Sequence, residues 1–236
     1  MPALPGRPSG DALTGDPLAF AARPDPLAVI AGADPLTAGP AVTARSGALE
    51  ALLTGNRRFV AGRATRPRQG PDRVREVAAS QRPFAVVLGC ADSRVPPEML
   101  FDQGVGDLFD NRVAGNVVDD LLLGSIELAV AEFAPPVVLV LGHERCGAVA
   151  AALAAVSAGT TPPGRIAAIV AALRPIVAPY ARDPDGLEKA VQANVRAQTR
   201  ALITHSEIIR SAVDRHETVV SGARYDLDTG VVTLLG

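Results

Sequence analysis

Apolar and polar positions divide the chain into an irregular prologue and a patterned body. Residues 1–45 show no sustained period. Beyond them, Leu49, Leu52, Leu53, Phe59 and Val60 recur at helical spacing, predicting a helix with Ser46 as N-cap and Glu50 in its first turn. From Phe84 the rhythm changes. Residues 84–88 form an uninterrupted apolar run, the pattern of a strand buried on both faces. A short helix opened by proline is expected over 96–101, then a second strand over 107–113 that carries the unusual Asp110 and Asn111. Next come a helix over 119–133, a fully buried strand over 137–141 and an Ala-rich helix over 146–157. After a break at Thr161–Gly164, helices are expected over 165–178 and 187–213. Residues 218–235 predict a hairpin turning at Asp228-Thr229-Gly230. Strands separated by helices define an α/β class. The expected architecture is a mostly parallel central β-sheet flanked by helices, with a C-terminal antiparallel hairpin as edge and an N-terminal helical arm.

Composition sharpens the division. The first 45 residues hold eight of the 20 prolines, which fits a Pro/Gly/Ala-rich arm rather than regular structure. No basic start followed by an apolar core marks a secretion signal there. Residues 46–236 then form a single domain. At 236 residues the chain can bury an ample core without disulfide staples. A net charge of −2 argues against binding nucleic acid by bulk phosphate neutralisation. The seven arginines between Arg57 and Arg75 have no aromatics interleaved for base stacking, so they read as a solvated helix face and loop. No apolar run reaches membrane-spanning length. Two cysteines do not make a secreted disulfide scaffold, and a cytoplasmic setting follows.

The candidate chemistry sits at strand ends. Cys90 follows the first buried strand through Gly89; His143 and Cys146 follow the strand 137–141 through Gly142. Ligands collect at the carboxyl ends of parallel strands. The three-residue spacing of His143 and Cys146 lets an imidazole and a thiolate converge on one ion, with Cys90 as third ligand. A Cys2His set with an open fourth position suits catalytic zinc, since structural zinc takes four protein ligands. The plainer alternatives are two buried free thiols with one satisfied histidine, or a Cys90–Cys146 disulfide. Beside Cys90, Asp92 and Arg94 are spaced to pair. Zinc with two thiolates and a neutral imidazole carries no net charge and acidifies water less than a dication does. A carboxylate that orients the water, itself held ionised by the arginine, would compensate.

These residues resemble a β-class carbonic anhydrase. The likeness runs from about Ser46 to the C-terminus. It is strongest in Cys90-Ala-Asp-Ser-Arg-Val95 and Gly142-His-Glu-Arg-Cys-Gly-Ala-Val149, with support from Gly55–Phe59, Arg112–Asn116 and Gly124–Glu127. The resemblance implies zinc held by Cys90, His143 and Cys146, one ion per subunit, and an Asp92–Arg94 dyad. It implies reversible hydration of CO2 to bicarbonate and a proton through a zinc-bound hydroxide, and a homo-oligomer, either a dimer or a dimer of dimers. It also assigns Gln81 and Phe109 to the substrate pocket. Val87 stands where one subgroup carries tryptophan, which points to the plant-like subtype. Asp110, Asn111 and Val113 depart from the family pattern. His205 and His216 are conceivable proton relays but read better as surface histidines. A related hydrolase of COS or CS2, or a non-catalytic zinc protein used in assembly or sensing, would share the ligand set. A zinc dehydrogenase would not fit, because Gly104-Val-Gly106 lacks the third glycine of a dinucleotide loop.

Overall fold

A computed structural model describes residues 38–236, with side chains from residue 45 onward. Most of the arm expected over 1–45 therefore lies outside the described residues. Its last stretch already belongs to helix α1 (Ala38–Val60). Ser46 is thus not an N-cap but an interior position. Pro40 sits in the first turn, where a missing N–H costs nothing.

The remaining elements follow as helix α2 (Pro71–Glu76), strand β1 (Ala85–Gly89), helix α3 (Pro97–Leu100), strand β2 (Leu108–Arg112), helix α4 (Asp120–Phe133) and strand β3 (Val137–His143). Then come helices α5 (Gly147–Ala158), α6 (Ile166–Val177), α7 (Gly186–His205) and α8 (Glu207–Asp214), and strands β4 (Val219–Tyr225) and β5 (Val232–Leu235). Helix α2 buries nothing and escaped the periodicity. The single helix expected over 187–213 is two. Ser206 is extended (φ −118°, ψ 120°) and its hydroxyl accepts from the Ile209 amide at 3.0 Å, so it caps α8 while ending α7. Asp119 caps α4 in the same way, accepting from Leu122 at 2.9 Å.

The sheet order is β2-β1-β3-β4-β5; the first four strands are parallel and β5 is antiparallel to β4. Every residue of β1 and β3 is buried, because helices cover both faces. Alternate side chains serve opposite layers. Ala85, Val87, Leu139 and Leu141 pack with Leu52 of α1 and with Leu100 and Phe101 at α3. Val86, Leu88, Val138 and Val140 pack against α4, α7 and α8 through Ile126, Val195, Leu202 and Ile209. Helix α7 comes unusually close to the sheet. A Cβ at Gly142 would stand 2.3 Å from Val195 Cγ2, and one at Gly222 would stand 2.7 Å from Val195 Cγ1. Two glycines on neighbouring strands thus seat one valine.

Five of the seven arginines between Arg57 and Arg75 have carboxylate partners: Arg57 with Glu50, Arg58 with Asp102, Arg68 with Asp107, Arg73 with Glu76 and Arg75 with Asp72. The pairs of Arg57 and Arg75 are exposed, as expected of a solvated face, whereas Arg58 and Arg68 tie the segment to the loop after α3 through the buried carboxylates of Asp102 and Asp107, which corrects the solvated reading there. Among the described residues no helix is long and apolar enough to cross a membrane.

Candidate metal centre

In the order β2-β1-β3-β4, chain direction across the sheet reverses between β1 and β3. That switch opens a crevice at the carboxyl ends of the two strands. Cys90 leaves the end of β1, and His143 is the last residue of β3. Between His143 and Cys146 the chain turns sharply, with Arg145 in the left-handed region (φ 52°). Cys146 then stands as N-cap of α5. The donor atoms of Cys90, His143 and Cys146 all lie within 4.8 Å of one another, and all three residues are buried.

The donor set fits a metal ion. The two sulfurs are 3.9 Å apart, close to the roughly 3.8 Å separating two thiolates at 2.3 Å from a tetrahedral zinc. His143 Nδ1 lies 2.9 Å from the Glu144 carbonyl oxygen. A carbonyl only accepts, so Nδ1 carries the proton and Nε2 keeps a free lone pair. Nε2 is fully buried with no hydrogen-bond partner. Such an orphan is costly unless something else takes the lone pair. Cysteine pairing is resolved in favour of free thiols. Cys146, as hydrogen-bond partner, holds Cys90 well below the ordinary thiol range. Cys146 is pushed up in turn by Cys90 and by burial, against the amides of Val149 and Ala148.

Asp92 and Arg94 are brought beside this group. Arg94 donates from its backbone amide and Nε to Asp92 Oδ1, both at 2.9 Å, and from Nη2 to Oδ2 at 2.8 Å. Arg94 therefore holds the Asp92 carboxyl far below the usual range, although burial opposes it. Asp92 Oδ2 is 3.9 Å from His143 Nε2. Gln81 and Phe109 are not gathered in the same way. Gln81 is exposed in the loop before β1. Phe109 lies on β2 in the layer of Val86 and Leu88, its ring 6.0 Å from that of Phe133. His205 and His216 are exposed.

Further residues support the site. Arg112, at the end of β2, donates from Nε to the Cys90 carbonyl at 3.0 Å and from Nη2 to the Asp92 carbonyl at 2.6 Å. The turn Ala114–Asn116 brings the Gly115 amide to 3.4 Å from Cys90 Sγ. From α7, Asn194 donates to the Gly115 carbonyl of that turn and Gln198 accepts from the Val118 amide just after it. Arg112 was visible in sequence only as part of a family stretch. Asn194 and Gln198 had a weak signal: two amides, four apart, on the stripe formed by Ala190, Val191, Val195 and Leu202.

A buried Cys2His cluster at the switch point of a mostly parallel sheet is a donor set that could hold a metal ion. The family profile of carbonic anhydrases matches residues 85–232. The chain is 43% identical over 188 residues to "Carbonic anhydrase 2" of Mycobacterium tuberculosis, covering 79% of this chain and 91% of that protein. Identity is 32% over 175 residues to a carbonic anhydrase of Pseudomonas aeruginosa, covering 68% and 77%. Among solved structures, a Coccomyxa β-carbonic anhydrase in complex with acetazolamide aligns with TM-score 0.62 and 30% identity over 80% of this chain and 85% of that one. The β-carbonic anhydrase CafA of Aspergillus fumigatus aligns with TM-score 0.63 and 27% identity over 79% and 90%. The chain belongs to the β-carbonic anhydrase family.

Proposed function

We propose that the protein catalyses CO2 + H2O ⇌ HCO3⁻ + H⁺ with one zinc per chain held by Cys90, His143 and Cys146. The observation that carries this reading is the convergence of three buried donors, one of them the unpartnered Nε2 of His143. When bound, zinc would supply the Lewis acidity that lowers the pKa of a water molecule. Every other contribution comes from the chain. Asp92, kept ionised by Arg94, accepts a hydrogen bond from the attacking water and aims its remaining lone pair. Arg112 ties the carbonyls on either side of Ala91 to β2 and so fixes the loop that carries both Cys90 and Asp92.

On the family resemblance, Gln81 and Phe109 belong to the substrate side of this proposal, and the protein forms a homo-oligomer, either a dimer or a dimer of dimers. Val87 supports the plant-like subtype, and the two free thiols support a cytoplasmic setting. The test is metal analysis joined to stopped-flow CO2 hydration on wild type and Cys90→Ser. Wild type should hold about one zinc per chain and hydrate CO2, and the variant should lose both. Zinc without hydration would point to an assembly or sensing protein. Turnover of COS or CS2 in place of CO2 would point to the related hydrolase.

A further inference from the structure

We infer that Asn194 of helix α7 is a positioning residue for the metal centre, holding the Ala114–Asn116 turn so that the Gly115 amide stays aimed at the Cys90 sulfur. The inference rests on the zinc reading above.

The turn is bonded on both sides and closely packed. Gly115 (φ 79°) and Asn116 (φ 42°) lie consecutively in the left-handed region, which glycine and asparagine adopt more readily than other residues. Gly115 also has little room to adjust. A Cβ there would stand 3.1 Å from both Ala148 Cβ and Leu173 Cδ1. On one side its N–H reaches Cys90 Sγ at 3.4 Å. On the other its carbonyl accepts from Asn194 Nδ2 at 2.8 Å.

The ladder behind Asn194 has a single direction. The Val118 amide donates to Gln198 Oε1 at 2.9 Å, and Gln198 Nε2 donates to Asn194 Oδ1 at 2.9 Å. An amide N–H at one end can only donate, and the Gly115 carbonyl at the other can only accept. Both side-chain amides are therefore locked in orientation. Asn194 is 1% exposed and Gln198 6%. Burying two amides on an otherwise apolar helix face is costly unless each is bonded, and apolar residues would pack there at lower cost. What the amides add is a fixed position for the turn. Gly142 and Gly222 set the depth of α7 by seating the adjacent Val195, which carries Asn194 within reach of Gly115.

The consequence is a fixed hydrogen bond on one metal-binding sulfur. Loss of the hold frees the Gly115 amide to turn away. Cys90 then donates more electron density and is less well pre-organised. Partners of metal ligands commonly contribute about 10- to 100-fold in metal affinity or activity.

The test uses full-length zinc and cobalt(II) forms of wild type, Asn194→Ala, Gln198→Met and Leu202→Ala. Leu202 is equally buried on α7 but lies outside the ladder. In Asn194→Ala the sulfur-to-cobalt charge-transfer band should move to longer wavelength, and zinc transfer to a chelator should accelerate about 10-fold. Gln198→Met should shift both in the same direction by less. Leu202→Ala should lower the melting temperature without moving either. Unchanged band and transfer rate in Asn194→Ala, or the same changes in Leu202→Ala, would overturn the inference. If Asn194→Ala does not fold, an unchanged band in Gln198→Met overturns it. A wild type that takes up neither metal overturns the zinc reading and this inference together; a metal-loaded wild type with unaffected variants overturns the inference alone.

Discussion

Arg94 surrounds the Asp92 carboxylate with three hydrogen bonds and still leaves its Oδ2 3.9 Å from His143 Nε2. The acid is thus held beside the donor cluster rather than drawn away from it. Asp92→Asn keeps the shape and removes the charge. It should keep its zinc, because no ligand changes, while CO2 hydration falls about 10- to 100-fold. Stopped-flow hydration at matched zinc content checks this, and undiminished activity would refute the dyad's role.

Asp110 on β2 has its Oδ1 buried without a partner. Burial, with Glu98 adding to it and Arg112 opposing, pushes its carboxyl up to about 8 from 3.8. Between those values the folded chain keeps a proton that the unfolded chain has released. Stability from this group is therefore present below about pH 4 and is lost as pH rises towards 8. Asp110→Asn, neutral throughout, should lose this slope. Its melting temperature should rise relative to wild type between pH 5.5 and 8, by about 2–4 °C for each kcal/mol removed. An unchanged difference across that range would show that Asp110 titrates normally.

Asp102 is the anchor of the arginine-rich loop. Its fully buried carboxylate accepts from Arg58 Nε at 2.6 Å, from the Thr65 amide at 3.0 Å and hydroxyl at 3.1 Å, and from the Arg66 amide at 2.7 Å. Burial raises its pKa, but these donors outweigh it and hold the group at about 2. Asp102→Ala should cost about 2–4 kcal/mol in urea unfolding at pH 7, since buried donors lose their acceptor. The wild-type advantage should shrink as pH falls from 4 towards 2, where the carboxylate is protonated. A cost below about 0.5 kcal/mol, the level of an ordinary surface change, would rule out the anchor.

Two helical glycines should respond in opposite directions. A Cβ at Gly55 of α1 would fall 1.7 Å from the Phe101 carbonyl oxygen, whereas one at Gly124 of α4 would meet nothing within 4 Å. Gly55→Ala should destabilise by about 1–3 kcal/mol through overpacking. Gly124→Ala should stabilise by about 0.5–1 kcal/mol through helix propensity. Thermal or urea unfolding of both variants measures the contrast.

The legible parts of the sequence were those where local pattern and tertiary environment agree. The runs at 84–88 and 137–141 marked buried strands because helices on both faces leave them no solvent side. The spacing of His143 and Cys146 and the pairing of Asp92 with Arg94 are short-range and survive folding almost unchanged. The onset of α1 was missed because prolines and glycines hide a helix whose first turn tolerates them. The break at Ser206 was missed because apolar spacing runs on through a residue that caps the next helix.

By itself, the sequence determined the strand–helix alternation, the three donors and the adjacent dyad, since each depends on residues close in the chain or on one repeated pattern. Only the tertiary structure decided how those pieces meet. Cys90 and Cys146 are 56 residues apart, and their 3.9 Å separation exists because β1 and β3 pair in parallel at the switch of the sheet. Asn194 reaches Gly115 across 79 residues because two glycines let α7 settle onto β3 and β4. Contacts of that range depend on packing distances of a few tenths of an ångström, which no local spacing along a chain encodes.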